Sequence, residues 1–234
     1  WSSQGRYLVW SDIPNDRQLR WIEDENRVSV MRQPSNNSNG NTFDFQGRQV
    51  SCEHLRRRVV RYEHDGSVSV LADSFDGKGL NSPNDVVPHP DGSYWFTDPP
   101  FGAQLFEGAV DAAGGQGNRD GRLRSQVGQP AGIGNAKQQL PSHVYRIDPR
   151  GKLAIVVDGA SLPGVPNGLA FSPDYKTLYI VCAGGLFAGE VAEGRVTGVK
   201  QFARVVIDGV NCGMDGVRVD VQGNLWCSGN AGSA

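Results

Sequence analysis

Phe45-Gln-Gly-Arg-Gln-Val-Ser-Cys52 and, nine residues on, Arg61-Tyr-Glu-His-Asp-Gly-Ser-Val-Ser-Val-Leu71 form a two-part unit. The first part is a glycine turn feeding a strand. The second is strand, turn, strand, with the alternation Ser67-Val-Ser-Val-Leu71 of a half-buried outer strand. The turn-and-strand part recurs as Ser3-Gln4-Gly5 before Tyr7-Leu-Val-Trp10 and as Pro90-Asp91-Gly92 before Tyr94-Trp-Phe96. It returns as Pro173-Asp174-Tyr175-Lys176 before Leu178-Tyr-Ile-Val181, and as Val221-Gln222-Gly223 before Leu225-Trp-Cys227. The strand-turn-strand part recurs as Val144-Tyr-Arg-Ile-Asp-Pro-Arg-Gly-Lys-Leu-Ala-Ile-Val156 and as Gly189-Glu-Val-Ala-Glu-Gly-Arg-Val196. Successive turns are separated by 42, 45, 84 and 47 residues.

Four short strands in 42–47 residues is the period of a propeller blade. The step of 84 is one repeat carrying an insertion of nearly forty residues, at about 103–141. A β-sandwich also spaces short strands regularly, but nothing in it calls for a two-part unit repeated at blade length. The expectation is an all-β, six-bladed β-propeller in one domain over residues 1–234, truncated at both ends, of which the chain covers about four and a half blades. Composition agrees, since 31 glycines and 13 prolines suit many tight turns.

A formal charge of −2 argues against a nucleic-acid groove or a polybasic membrane face, and no apolar run is long enough for a membrane span. The chain opens on Trp1 with no initiator Met or apolar leader, so an upstream leader is expected to have been removed. Cys52, Cys182, Cys212 and Cys227 show no ligand spacing and sit in apolar strand patterns, which predicts buried thiols. The alternative is a disulfide, Cys182–Cys212 or Cys212–Cys227.

Eight or nine residues before the turn marker, four repeats carry a polar residue: Asn39, Asn84, Asn167 and Asp215. Equivalent positions of successive blades converge on one end of a propeller's channel. Asn-Gly and Asp-Gly are ordinary turn formers. A turn alone, however, does not require the same polar type at each symmetric position. Amide and carboxylate oxygens gathered there suit a hard cation such as Ca²⁺. Six residues after the marker, Glu53 and Asp98 share an offset on the channel-facing strand, and His54 follows Glu53.

Leu80-Asn-Ser-Pro-Asn-Asp-Val-Val87, Asp91-Gly-Ser-Tyr-Trp-Phe-Thr-Asp-Pro-Pro-Phe-Gly102, Pro166-Asn-Gly-Leu-Ala-Phe-Ser-Pro-Asp174 and Met214-Asp-Gly216 together resemble the gluconolactonase, regucalcin and luciferin-regenerating enzyme-like family. Ser51-Cys-Glu-His54 followed by Arg58-Val59 resembles its bacterial gluconolactonase branch. The resemblance covers nearly the whole chain. It implies a six-bladed propeller with one divalent metal at the channel mouth, Ca²⁺ first and Zn²⁺, Mg²⁺ or Mn²⁺ as alternatives. By that resemblance Asn167 and Asp215 match metal ligands, Asp215 also matches the general base, and Asn84 matches a position touching metal or substrate. Asn39 matches no ligand. The family's remaining ligand, the Glu of an E-G-P-x-W motif whose Trp corresponds to Trp1, would lie upstream. Ser82 stands where regucalcin-like members carry a substrate-binding Arg.

The implied activity is hydrolysis of a sugar lactone, with the metal polarising the carbonyl while Asp215 deprotonates the attacking water. Asn84, Asp98, Glu53 and His54 are the expected substrate contacts. Two other readings compete: a phosphotriesterase of the diisopropyl fluorophosphatase type, and a non-catalytic propeller serving as an interaction platform. The glycines of the insertion lack the Lys-Ser/Thr of a phosphate loop, and no G-x-S-x-G elbow occurs. The insertion is either a surface loop or a lid. Arg56-Arg-Arg58 and Arg61 are expected on a solvated blade face. Expected partners are a small-molecule sugar lactone, no nucleic acid and no membrane, with the chain a monomer or homodimer. The expected location is bacterial, cytoplasmic or periplasmic.

Overall fold

A computed structural model describes residues 1–102 and 136–231. It is an all-β propeller in which five successive sheets each present one strand to a common channel. Blade I holds β1 (Tyr7–Asp12), β2 (Arg17–Ile22) and β3 (Arg27–Arg32). Blade II holds β4 (Ser38–Phe43), β5 (Gln49–Glu53), β6 (Arg58–Tyr62) and β7 (Val68–Ala72). A hairpin of β8 (Ser74–Phe75) and β9 (Lys78–Gly79) leads to the next blade. Blade III comprises β10 (Val86–Pro88), β11 (Tyr94–Thr97), β12 (Val144–Ile147) and β13 (Leu153–Val157). Blade IV comprises β14 (Pro166–Phe171), β15 (Thr177–Cys182), β16 (Gly185–Ala192) and β17 (Arg195–Ala203). Blade V has β18 (Val206–Ile207), β19 (Val210–Val219) and β20 (Leu225–Ala231).

Every pairing is antiparallel and each blade is a meander. In blades II to V the turn marker joins the inner strand to the second. The Gly5 turn precedes β1, so β1 corresponds to a second strand, although here it lines the channel. The described residues thus form five blades, of which II to IV have four strands and I and V have three.

The recurring turn has a local cause. In the Asp44–Gly47 and Asp220–Gly223 copies, and in the Asp148–Gly151 turn between β12 and β13, the glycine N–H donates to the aspartate carbonyl at 2.9–3.0 Å. The same aspartate's Oδ1 accepts backbone N–H groups two and four residues on. The glycine then sits at φ between +76° and +87°, a region that costs other residues energy. In blade IV, Tyr175 takes that place at φ +60°.

Sheets pack face to face through one interface per blade pair. Between II and III lie Val50, Cys52, Leu80, Phe96 and Tyr145; between III and IV lie Trp95, Val144, Leu169, Leu178 and Ile180. Ala170, Val181, Leu186, Met214 and Val217 close IV against V. Blades I and II meet differently, through buried polar groups. Gln18 Nε2 donates to Ser38 Oγ, Asn41 Oδ1 and Ser51 Oγ, and Gln49 Nε2 donates to Gln18 Oε1. A buried network of this kind fixes one mutual position of two sheets.

All four cysteines are free thiols, three of them buried, in line with the first expectation and against either disulfide. The arginine cluster is more engaged than a solvated face. Arg57 donates through Nε to the carbonyls of Leu80 and Asn81, Arg58 pairs with Glu53 and Arg61 with Glu63. The lid reading is for about 103–141, of which residues 103–135 lie outside the described residues. No helix among the described residues is long and apolar enough to cross a membrane.

Candidate active site at the channel mouth

Three inner strands share an irregularity. The ladder register shifts between Ser38 and Asn41 in β4, between Pro166 and Leu169 in β14, and between Met214 and Val217 in β19. Each shift brackets the polar-Gly pair of its repeat: Asn39-Gly40, Asn167-Gly168 and Asp215-Gly216. In blade III the pair is Asn84-Asp85, just ahead of β10. A bulge re-aims one side chain out of the alternating pattern. Here it happens at the same repeat offset in blades II, IV and V.

The four pairs line one cavity of about 460 Å³, together with Val9, Trp10 and Ser11 of β1 and Arg218, Trp226 and Ser228 of blade V. Close approach of the inner strands explains the glycines. A Cβ on Gly40 would stand 2.4 Å from the Asn84 carbonyl oxygen, and one on Gly168 would stand 2.4 Å from that of Asp215. The Gly40 N–H donates to that Asn84 carbonyl at 2.8 Å.

Asn84 and Asn167 are held by one residue. The Thr97 carbonyl accepts the Asn84 N–H at 2.9 Å, and Thr97 Oγ1 donates to the Asn167 carbonyl at 2.6 Å. With its backbone pinned, Asn167 keeps its side-chain Oδ1 buried and without a hydrogen-bond partner among the described residues. A buried carbonyl oxygen with no donor is costly unless something electropositive meets it. Asn84 is 5% exposed, while Asp215 is exposed to the cavity.

Asp85 occupies the place where the other repeats have glycine, and it was not among the residues expected at the site. Its carboxylate takes both Arg218 nitrogens, Nη1 at 2.8 Å and Nη2 at 3.1 Å, and the Leu169 N–H at 3.3 Å. The fork ties blades III, IV and V together beneath the mouth. Two signals in the sequence point to this pair: a charge replacing glycine at the repeat offset, and Arg218 standing where the other inner strands have Thr42, Val87 and Ala170.

The remaining expected residues lie behind the wall. Glu53 is 1% exposed and accepts from Arg58 Nε at 2.6 Å, Asn36 Nδ2 at 3.1 Å and Tyr62 OH at 3.3 Å. His54 is fully buried, its Nε2 3.3 Å from Asn39 Nδ2. Asp98 is fully buried and accepts the N–H groups of Asn81 and Ser82, each at 2.8 Å. Burial pushes its pKa up to about 7, against the pull of those two N–H groups and of Arg57. Asp98 therefore anchors the loop that delivers Asn84. The structure thus brings Asn84, Asn167, Asp215 and Asn39 to one cavity, and does not bring Glu53, His54 or Asp98 to its wall.

Among the described residues no three His, Cys, Asp or Glu side chains gather closely enough to hold a metal ion. The donor set at the mouth is instead two amides and one carboxylate. All are hard oxygen donors of the kind Ca²⁺ takes, and the unpartnered Asn167 Oδ1 fits such a ligand.

Fold and site together define the class: a β-propeller whose inner strands bring amide and carboxylate oxygens to one end of the channel, a fold that serves many activities. The chain belongs to the SMP-30/Gluconolactonase/LRE-like family, whose profile matches residues 1–234. It is 26% identical to a gluconolactonase of Zymomonas mobilis over 99% of its own length, and it spans 64% of that protein. A gluconolactonase from Xanthomonas campestris superposes with a TM-score of 0.76 at 35% identity, over 97% of this chain and 67% of that one. Regucalcin from Agrobacterium tumefaciens, a calcium-binding protein, shares the fold with a TM-score of 0.62 at 19% identity, over 96% of this chain and 63% of that one.

Proposed function

We propose that residues 1–234 form one propeller domain carrying the site of a metal-dependent sugar lactonase. In this reading the ring is six-bladed, with five of its blades in this chain. The observation that carries the proposal is the convergence of Asn84, Asn167 and Asp215 from three blades on one cavity, with Asn167 Oδ1 left buried and unpartnered. Membership of a family that includes the Zymomonas and Xanthomonas gluconolactonases supports a lactone as substrate.

Asn84, Asn167 and Asp215 would hold the cation through their side-chain oxygens. Once bound, a divalent ion supplies Lewis-acid stabilisation of charge on the lactone carbonyl oxygen, worth about several kcal/mol. Asp215, the carboxylate exposed in the cavity wall, takes a proton from water as the water oxygen bonds to the carbonyl carbon. The ring C–O bond then breaks, and the ring oxygen leaves with that proton as the hydroxyl of an open hydroxy acid. Thr97 and the Asp85–Arg218 fork hold the surrounding strands so that these groups stay in register. Asp98, Glu53 and His54 serve this site from behind its wall.

The test is acid release from glucono-1,5-lactone in a pH-stat. Activity should vanish on chelation and return with added Ca²⁺ or another divalent ion. Asp215→Asn should keep the fold by circular dichroism and lose about 10²–10⁴-fold in kcat. Full activity in chelator, or near-normal turnover by the variant, contradicts the reading.

A further inference from the structure

The same bulge that presents Asn167 and Asp215 also presents Asn39, the residue at the equivalent offset of blade II. It is left out of the ligand set proposed above. Its backbone is more tightly fixed than a loop residue needs. The Asn39 carbonyl accepts from Ser11 Oγ at 2.7 Å and from Asn41 Nδ2 at 2.9 Å, and the next N–H, that of Gly40, bonds to blade III. Asn41 is itself held by the buried network between blades I and II, through Gln18 and Gln49. The side chain lines the cavity, and its Nδ2 stands 3.3 Å from Nε2 of the buried His54.

An amide NH₂ donates, so in this contact Nε2 of His54 is the acceptor. With one end occupied, the amide cannot rotate freely. Its Oδ1, which takes no hydrogen bond from the described residues, is the end left to a ligand. Both side chains are half-buried on the wall, but the Oδ1 of Asn167 is a buried atom and that of Asn39 is not among the buried unpartnered atoms. Such an oxygen suits a hydroxyl donor that arrives with its own partial hydration, and a sugar-derived ligand carries several.

We infer that Asn39 is a substrate-binding residue that accepts a hydrogen bond from a hydroxyl of a polyhydroxylated ligand, and that His54 is the positioning residue that orients its amide. This rests on the lactonase reading for the ligand's chemistry, and it places Asn39 outside the metal shell. It also gives the fully buried His54 a function exerted through another side chain.

Two measurements on the full chain test it: calorimetric titration of the Ca²⁺-loaded protein with D-gluconate, and steady-state hydrolysis of glucono-1,5-lactone beside δ-valerolactone, which has no hydroxyls. Asn39→Ala should weaken gluconate binding about tenfold, the loss of one good hydrogen bond. It should lower the preference in kcat/KM for the hydroxylated lactone by about the same factor, through KM more than kcat. Its calcium affinity should stay within about twofold of the wild type, since one unused amide is removed. His54→Ala should follow Asn39→Ala, and His54→Gln, which restores an acceptor near Nε2, should recover most of the loss. Unchanged gluconate binding, equal losses on both lactones, a fall in calcium affinity, or no rescue by His54→Gln would each overturn the assignment. So would a wild-type protein that binds no gluconate. A wild type that binds gluconate but hydrolyses neither lactone removes the lactonase reading and leaves the binding arm to decide on Asn39.

Discussion

Asp98 joins the structure to pH. It lies fully buried and its carboxylate accepts two backbone N–H groups, yet burial raises its pKa to about 7 from the 3.8 of a free side chain. In the unfolded chain the group loses its proton near pH 4, whereas in the folded chain it keeps that proton until about pH 7. The folded state therefore binds more protons across this window, and the group's contribution to stability falls as pH rises through it. Asp98→Asn removes the titration. Its stability relative to the wild type should climb between about pH 4 and pH 7, at no more than about 1.4 kcal/mol per pH unit, and level off above. Urea denaturation of both proteins at four or five pH values reads this directly, and a difference independent of pH contradicts it. At this scale the sequence was half legible. Repetition at one offset marked Asn84, Asn167 and Asp215, because symmetry acts on residue type. The burial of Glu53, His54 and Asp98 was hidden, because a shared offset on a strand does not reveal whether the side chain reaches the channel or stops behind it.

At the level of elements, the inner strands approach each other more closely than side chains normally allow. A Cβ on Gly168 would stand 2.4 Å from the Asp215 carbonyl oxygen and 2.9 Å from Gly216 Cα. Both contacts are with backbone, so β14 and β19 would have to move apart. Gly168→Ala should destabilise by about 2–3 kcal/mol, and should weaken cation binding because Asn167 and Asp215 ride on the strands that separate. Gly79→Ala in β9, where the nearest neighbour is an Arg57 nitrogen at 3.8 Å, should stay within about 0.5 kcal/mol of the wild type. Equal stability of the two variants in denaturant would refute the close-approach account. The Asn-Gly wording was visible in sequence and first suggests a turn. Only the three-dimensional spacing shows the glycine as the contact between adjacent inner strands. The Asp85–Arg218 fork escaped for a related reason, since its partners are 133 residues apart and belong to blades III and V.

Across the whole molecule, period decided the architecture. The Gly47, Gly92 and Gly223 turns and their spacing were enough to predict a propeller, because stacked sheets that pack only on their neighbours must repeat. The interface between blades I and II was not predictable in the same way. Gln18, Gln49 and Ser51 read as ordinary strand residues, and their joint burial depends on two sheets meeting at one register. Blades II to IV carry four strands each and blades I and V three, in a chain spanning 64% of the Zymomonas gluconolactonase.

What unites the scales is a single claim: a bulge repeated in separate blades aims oxygen atoms at one point. Anomalous diffraction from crystals soaked in Mn²⁺ locates that point. The account predicts one strong peak at the channel mouth, within about 2.0–2.6 Å of both Asn167 Oδ1 and an Asp215 carboxylate oxygen. A cation bound elsewhere, or no peak at the mouth at saturating metal, would contradict it.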